Sequence, residues 1–204
     1  MRSTTLGFLA LALGLLTVRT AVSQTLEEPR ARQGYWIRVG LNQAGANVIE
    51  KGKDKGIYNG FGFSLRLGEL VTERLGLGLF VENNGIIKKK DKGAAGGLGI
   101  EGTYCPWRTL TTHLGAGFGY VMLTDDATEE KSLRGGAGSY LMLGISYDFF
   151  PWRRRLTGGW AFSPALDFRA MPDGNIHTYT VFLGLNVTWW SGLDRNMLNL
   201  PDEL

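Results

Sequence analysis

In the run Tyr35-Trp36-Ile37-Arg38-Val39-Gly40-Leu41-Asn42 every odd position is apolar, while the even positions include arginine, glycine and asparagine. Successive side chains of a strand point to opposite faces. The same alternation returns in Phe61, Phe63, Leu65 and Leu67, in Leu75, Leu77, Leu79 and Val81, in Leu141, Leu143, Ile145 and Tyr147, and in Tyr179, Val181, Leu183, Leu185 and Val187. One face of such a sheet must meet something apolar while the other encloses glycine, arginine and carboxylates. A soluble sheet does not hide that second set. The pattern is inside out, as in a transmembrane β-barrel.

The N-terminus carries a processing signal. Arg2 supplies a basic end, Leu6 to Val18 an apolar core, and Ala21-Val22-Ser23 small residues before Gln24, so residues 1–23 read as a secretory signal peptide cleaved near Ser23/Gln24. Its core of about 13 apolar residues is too short to span a bilayer as a helix. No later run reaches the roughly 20 apolar residues that a membrane helix needs, so a membrane-embedded chain must cross as strands. The predicted organisation is signal peptide 1–23, periplasmic N-terminal segment 24–33, barrel 34–190 and periplasmic tail 191–204. Formal charge is +3, and loss of Arg2 and Arg19 lowers it to +1, which implies no nucleic-acid partner. Cys105 is the single cysteine, which excludes an intramolecular disulfide and a cysteine-rich metal site.

Thirty glycines are about twice ordinary usage. They fall inside the alternating segments, as in Gly60-Phe61-Gly62-Phe63 and Gly115-Ala116-Gly117-Phe118-Gly119, mostly opposite the apolar face. Glycine weakens an ordinary strand, but a narrow closed barrel has an interior that bulky side chains would overfill.

Eight segments are predicted at 35–47, 58–70, 75–87, 94–107, 110–123, 133–150, 159–171 and 176–190, each long enough to cross a membrane at a tilt. Pro164 removes a ladder donor from the seventh and suggests a bulge there. Connectors after the first, third and fifth segments are charged, with Glu50 to Lys55, Lys88 to Lys92 and Asp125 to Lys131. An N-terminus in the periplasm then places the charged set outside. Aromatic residues favour the water interface of a membrane. Tyr35, Trp36, Tyr104, Trp107, Phe149, Phe150, Trp152, Trp160, Trp189 and Trp190 all fall at the expected periplasmic edge and form a predicted girdle.

The signal peptide, eight alternating strands and aromatic last strand resemble the small outer-membrane barrels of the OmpA and opacity-protein type, over residues 34–190. That resemblance implies an all-β, eight-stranded antiparallel up-and-down transmembrane barrel with a polar, glycine-rich interior. It also implies porin-like residence in the bacterial outer membrane, among outer-membrane lipid and lipopolysaccharide, after insertion by the outer-membrane assembly machinery. Such barrels commonly end at the aromatic residue recognised during assembly, whereas about 14 residues follow Trp190 here, so the assembly signal would be internal.

Inward positions collect Arg38, Arg66, Arg134 and Arg169 against Glu82, Glu101, Asp148 and Asp167. This set reads as a plug of ion pairs, since charges inside a narrow barrel persist only when paired and hydrogen-bonded. A polar conduit is the competing reading. Glu82 and Glu101, on neighbouring strands, could form a carboxylate pair for acid-base work, against the simpler expectation that each faces an arginine. His113 points inward and His177 outward, with no serine in reach of either, so nucleophilic catalysis is not expected. Lys88, Lys89, Lys90 and Lys92 are candidates for contact with lipopolysaccharide phosphates, and Arg153, Arg154 and Arg155 for an interfacial anchor. The acidic stretch Asp125 to Glu130 lacks the ligand spacing of a calcium loop, and neither metal nor cofactor is expected. Residues 191–204, with Leu193, Met197, Leu198, Leu200 and Leu204, could dock a periplasmic protein partner. The expected task is non-enzymatic, contributing envelope structure or attachment of partners; a narrow channel for ions or small solutes and a subunit of an envelope-spanning complex are the alternatives.

Overall fold

A computed structural model describes residues 34–89, 91–107, 109–125, 132–151, 159–172 and 176–192. Eight strands follow one another in chain order: β1 (Tyr35–Glu50), β2 (Lys53–Leu70), β3 (Leu75–Lys88), β4 (Asp91–Tyr104), β5 (Leu110–Asp125), β6 (Ser132–Tyr147), β7 (Gly159–Met171) and β8 (Ile176–Trp190). Each pairs antiparallel with its sequence neighbours, and β8 closes on β1. Closure leaves no pair of open sheet edges to satisfy. Tyr35 and Ser191 knit the seam at the end that holds both described termini, through Ser191 N–H to the Tyr35 carbonyl at 2.8 Å and Tyr35 N–H to Ser191 Oγ at 2.8 Å.

Register turns the sequence alternation into two surfaces. Val39 stands opposite Leu65 on one side and Val187 on the other, Leu65 opposite Val81, and Val81 opposite Leu98, all exposed on the outer wall. The even residues of β1 point into the lumen, where Arg38, Asn42 and Ala44 are buried. An apolar wall outside and polar side chains inside is the arrangement that a membrane-spanning barrel requires.

The strands run further than the alternation alone suggested at the end away from the termini. Glu50 still pairs with Lys53, so the charged connector after β1 is a two-residue hairpin in which Lys51 and Gly52 carry φ of 49° and 75°. Positive φ at both central residues is what a primed hairpin turn needs, and its twist lets the two strands continue without splaying. Pro164 does not mark a bulge. It interrupts the β6–β7 ladder, which is regular from Leu141–Ser146 against Ala165–Ala170 and resumes in the same register at Phe149 with Phe162. The one register shift in the β1–β2 pairing falls between Val48 and Ile49.

Two apolar layers close the lumen. At the terminal end Trp36, Leu70, Cys105, Phe150, Ala161 and Trp190 cluster, with the Trp36 and Trp190 rings 6.1 Å apart and tilted by 44°. Toward the hairpin end Val48, Tyr58, Phe80, Ile86, Tyr140, Met142, Met171 and Ile176 form a second cluster. The charged midsection lies between the first cluster and the hairpin-end members of the second, and Phe80 and Met142, opposite Arg66 and Arg169 in register, reach into it. Trp36 and Trp190 were expected in the interfacial girdle, yet they are 1 % and 0 % exposed. Parity is the reason: both occupy inward positions, and an aromatic ring there fills the barrel mouth instead of meeting lipid. Phe150, also buried, joins them. Tyr35, Tyr104, Trp107 and Trp160 are exposed on the wall at this end, while Trp189 and Phe149 are half-buried. Trp152, Arg153 to Arg155, the signal segment and residues 193–204 lie outside the described residues.

Candidate functional site

The lumen midsection is the only place among the described residues where many charged side chains are buried together. Its geometry begins with a conflict. Register sets Arg38 directly opposite Arg66 on the adjacent strand, and like charges in that position repel. Carboxylates from the far wall resolve it. Arg66 reaches Asp167 of β7 at 2.6 Å through Nη2 and Glu101 of β4 at 3.4 Å through Nη1. Arg38 lies 3.7 Å from Asp148 and donates from Nε to Thr188 Oγ1 at 3.0 Å.

Arg169, two residues beyond Asp167 and so on the same face, extends the network. Its Nη2 contacts Glu82 Oε2 at 2.7 Å and Asp167 Oδ2 at 3.2 Å, and its guanidinium lies 3.5 Å from the Phe182 ring centroid. Tyr140 donates its hydroxyl proton to Glu82 Oε1. His113 Nε2 bonds Asp167 Oδ1 at 2.9 Å. Asp167 thus receives two arginines and a histidine, while Glu82 and Glu101 each face an arginine. The cross-section is spanned from β2 to β7 and from β3 to β7 by groups less than a twentieth exposed.

Glycines make room for this. A Cβ on Gly144 would fall 2.2 Å from both His113 Nε2 and Asp167 Oδ1, and one on Gly97 would stand 3.0 Å from the Tyr140 ring. The glycines of the inner wall are therefore the floor on which the large lumen side chains lie. Beside Tyr140 and Arg169 a cavity measures about 10 Å³. That is about the least space in which one water molecule fits.

Of the eight charged residues expected in one network, Arg38, Arg66, Glu82, Glu101, Asp148, Asp167 and Arg169 are buried in the midsection. Arg134 is the exception. It stands at the hairpin end, 30 % exposed, and bonds Glu50 at 2.7 Å, with Lys55 3.3 Å from the same carboxylate. Because the β1–β2 hairpin carries Glu50 up to the level of Arg134, the pair forms on the rim. His113 and Tyr140 are members that charge counting missed; their inward parity was the available signal. Among the rim lysines, Lys88 donates to the Lys55 carbonyl and lies 5.5 Å from the Tyr58 ring centroid, whereas Lys89 and Lys92 are exposed. Lys90 lies outside the described residues.

No family model and no curated protein matches the chain. Solved structures do match. Ail, the attachment invasion locus protein of Yersinia pestis, superposes with a TM-score of 0.56 at 12 % identity, covering 77 % of this chain and 99 % of Ail. Ail in complex with the heparin analogue sucrose octasulfate gives 0.54 at 11 % identity over 76 % of this chain and 99 % of that one. Neisserial surface protein A gives 0.54 at 15 % identity over 77 % of this chain and 97 % of its own. At these identities the likeness is one of architecture, and the chain has the fold of the small eight-stranded outer-membrane barrels.

Proposed function

We propose that this chain is a non-enzymatic protein of the bacterial outer membrane, whose barrel is a closed scaffold and not a conduit. The observation that carries this reading is the filled lumen: a buried ion-pair layer enclosed between apolar layers at both ends. An ion crossing it would have to displace Trp36 and Trp190 at one mouth, break contacts of Arg66 or Arg169 with their carboxylates, and pass Val48, Tyr58 and Ile176 at the other. The narrow-channel alternative asks for all three. In the proposed topology residues 1–23 are removed, residues 24–33 and 191–204 are periplasmic, and the tail is available to a periplasmic partner. The hairpin rim then faces outward. There Glu50 is held by Arg134 and Lys55, and Tyr58 donates to Asp91 at 3.1 Å, while Lys51, Lys53 and Lys89 are exposed. A rim on which Glu50 and Asp91 are engaged while Lys51, Lys53 and Lys89 are exposed suits the phosphates of lipopolysaccharide. The network itself offers no reaction site, because His113 and the carboxylates are buried and bonded to one another.

Tryptophan quenching tests the membrane placement. In phospholipid vesicles, brominated acyl chains are expected to quench the fluorescence contributed by Trp107 and Trp160, and a Trp107→Phe, Trp160→Phe variant is expected to lose most of that quenching. Strong quenching by acrylamide with none by brominated lipid would end the reading.

A further inference from the structure

The outer wall carries a groove of about 480 Å³ at the terminal end of β3, β4 and β5. Its floor is Gly102. In register, Leu77 of β3 stands on one side of that glycine and Leu114 of β5 on the other, followed by Leu143 of β6. These leucines are among the most exposed apolar residues of the wall, at 66 %, 64 % and 57 %. Gly102 is therefore a gap in a row of leucines.

Nothing inside the chain requires that gap. The inner glycines are held by collisions that a Cβ would cause, but a Cβ on Gly102 would meet only the Leu114 carbonyl oxygen, at 3.9 Å. Its φ also lies outside the left-handed region. Glycine weakens a strand, so a leucine here would cost the barrel nothing in packing and would extend its apolar wall. Two other outward glycines, Gly45 and Gly85, are as unobstructed, but they stand toward the hairpin end.

The groove has a direction. Its walls are apolar along Leu75, Leu77 and Leu114, and its lower end reaches Thr72, Thr112 and the exposed Tyr104. The β3-side turn is fixed there, because Thr72 Oγ1 accepts from the backbone N–H of Arg74 at 3.3 Å and of Leu75 at 3.0 Å. That turn, whose Val71, Thr72 and Leu75 line the groove, also carries the exposed Arg74. An apolar slot that reaches an exposed interfacial tyrosine, beside a turn that carries an exposed cation, matches a molecule with a hydrocarbon chain and an anionic head.

We propose that this groove seats one acyl chain of a glycerophospholipid from the periplasmic leaflet, with its phosphate at Arg74. The site rests on the membrane placement proposed above. Vesicles containing phosphatidylethanolamine with a photoactivatable diazirine acyl chain test it. Illumination is expected to label the peptides carrying residues 75–77 and 102–114 in preference to the equally apolar walls of β1 and β8. Gly102→Leu, which fills the slot, is expected to lower that labelling at least fivefold while its heat-modifiable gel migration stays that of the wild type. Arg74→Gln is expected to reduce it with the slot still open. Labelling spread over all strands, or unchanged in Gly102→Leu, would overturn the proposal, as would chain-to-chain crosslinks through this face, which would assign the groove to a second protein. Failure of the wild type to enter vesicles, seen separately by tryptophan quenching, would remove the membrane reading itself.

Discussion

Arg66→Met is expected to lower the free energy of unfolding by about 3–5 kcal/mol, the range for removing one partner of a buried ion pair. Methionine keeps much of the side-chain volume, so the loss isolates charge from packing. What remains is the difficulty: Glu101 and Asp167, both buried, lose the guanidinium that reached each of them. Water cannot replace it, because the apolar layers stand between the midsection and either mouth. Adding Glu101→Gln to Arg66→Met is expected to recover part of the stability, since one orphaned charge is then removed. The rim provides the control. Lys55→Met breaks the Lys55–Glu50 pair, in which the lysine side chain is 39 % exposed, and should change stability by less than about 1 kcal/mol. Urea unfolding of the lipid-reconstituted protein, followed by tryptophan fluorescence, measures all four proteins. Equal and small effects of Arg66→Met and Lys55→Met would show that the midsection is hydrated.

The second large effect is expected at the inner wall. Gly117 on β5 faces Gly99 on β4, and a Cβ on Gly117 would lie 2.0 Å from the Leu98 carbonyl oxygen and 2.6 Å from the Gly99 Cα. Both are backbone atoms, so no rotamer change relieves the overlap. Gly117→Val is expected to leave little or no heat-modifiable folded species, a cost beyond the roughly 1–3 kcal/mol of ordinary overpacking. Gly102→Val, on the outer face where a Cβ is unobstructed, is expected to fold like the wild type. If both variants fold equally well, the glycine content of the wall reflects something other than close approach of strands.

Most of the architecture was legible in the residues because a period of two has only two faces, and each face here has its own chemistry. The inward set at Arg38, Arg66, Glu82 and Asp167 follows from parity, the strand number from the count of alternating segments, and the up-and-down order from the resemblance to small outer-membrane barrels. Strand ends did not. The charged residues Glu50, Lys53 and Asp91 look like loop, yet a tight hairpin turn lets the ladder run on through them. Parity also decides against composition at Trp36 and Trp190, which look like interfacial residues by type and position but point inward. Which carboxylate meets which arginine depends on how the barrel tilts β7 across the lumen from β2 and β3, and that long-range geometry leaves no local mark. Tyr140 was hidden for the same reason: its hydroxyl finds Glu82 across the lumen, 58 residues away in sequence.

The most direct test of a sealed scaffold is electrical. Refolded wild-type protein, shown by heat-modifiable migration to be a closed barrel, is expected to give no conductance steps in a planar lipid bilayer at moderate voltage. Reproducible single-channel steps that change in size with Glu82→Gln would contradict it, because ions would then be passing through the layer held by Glu82, Arg169 and Tyr140.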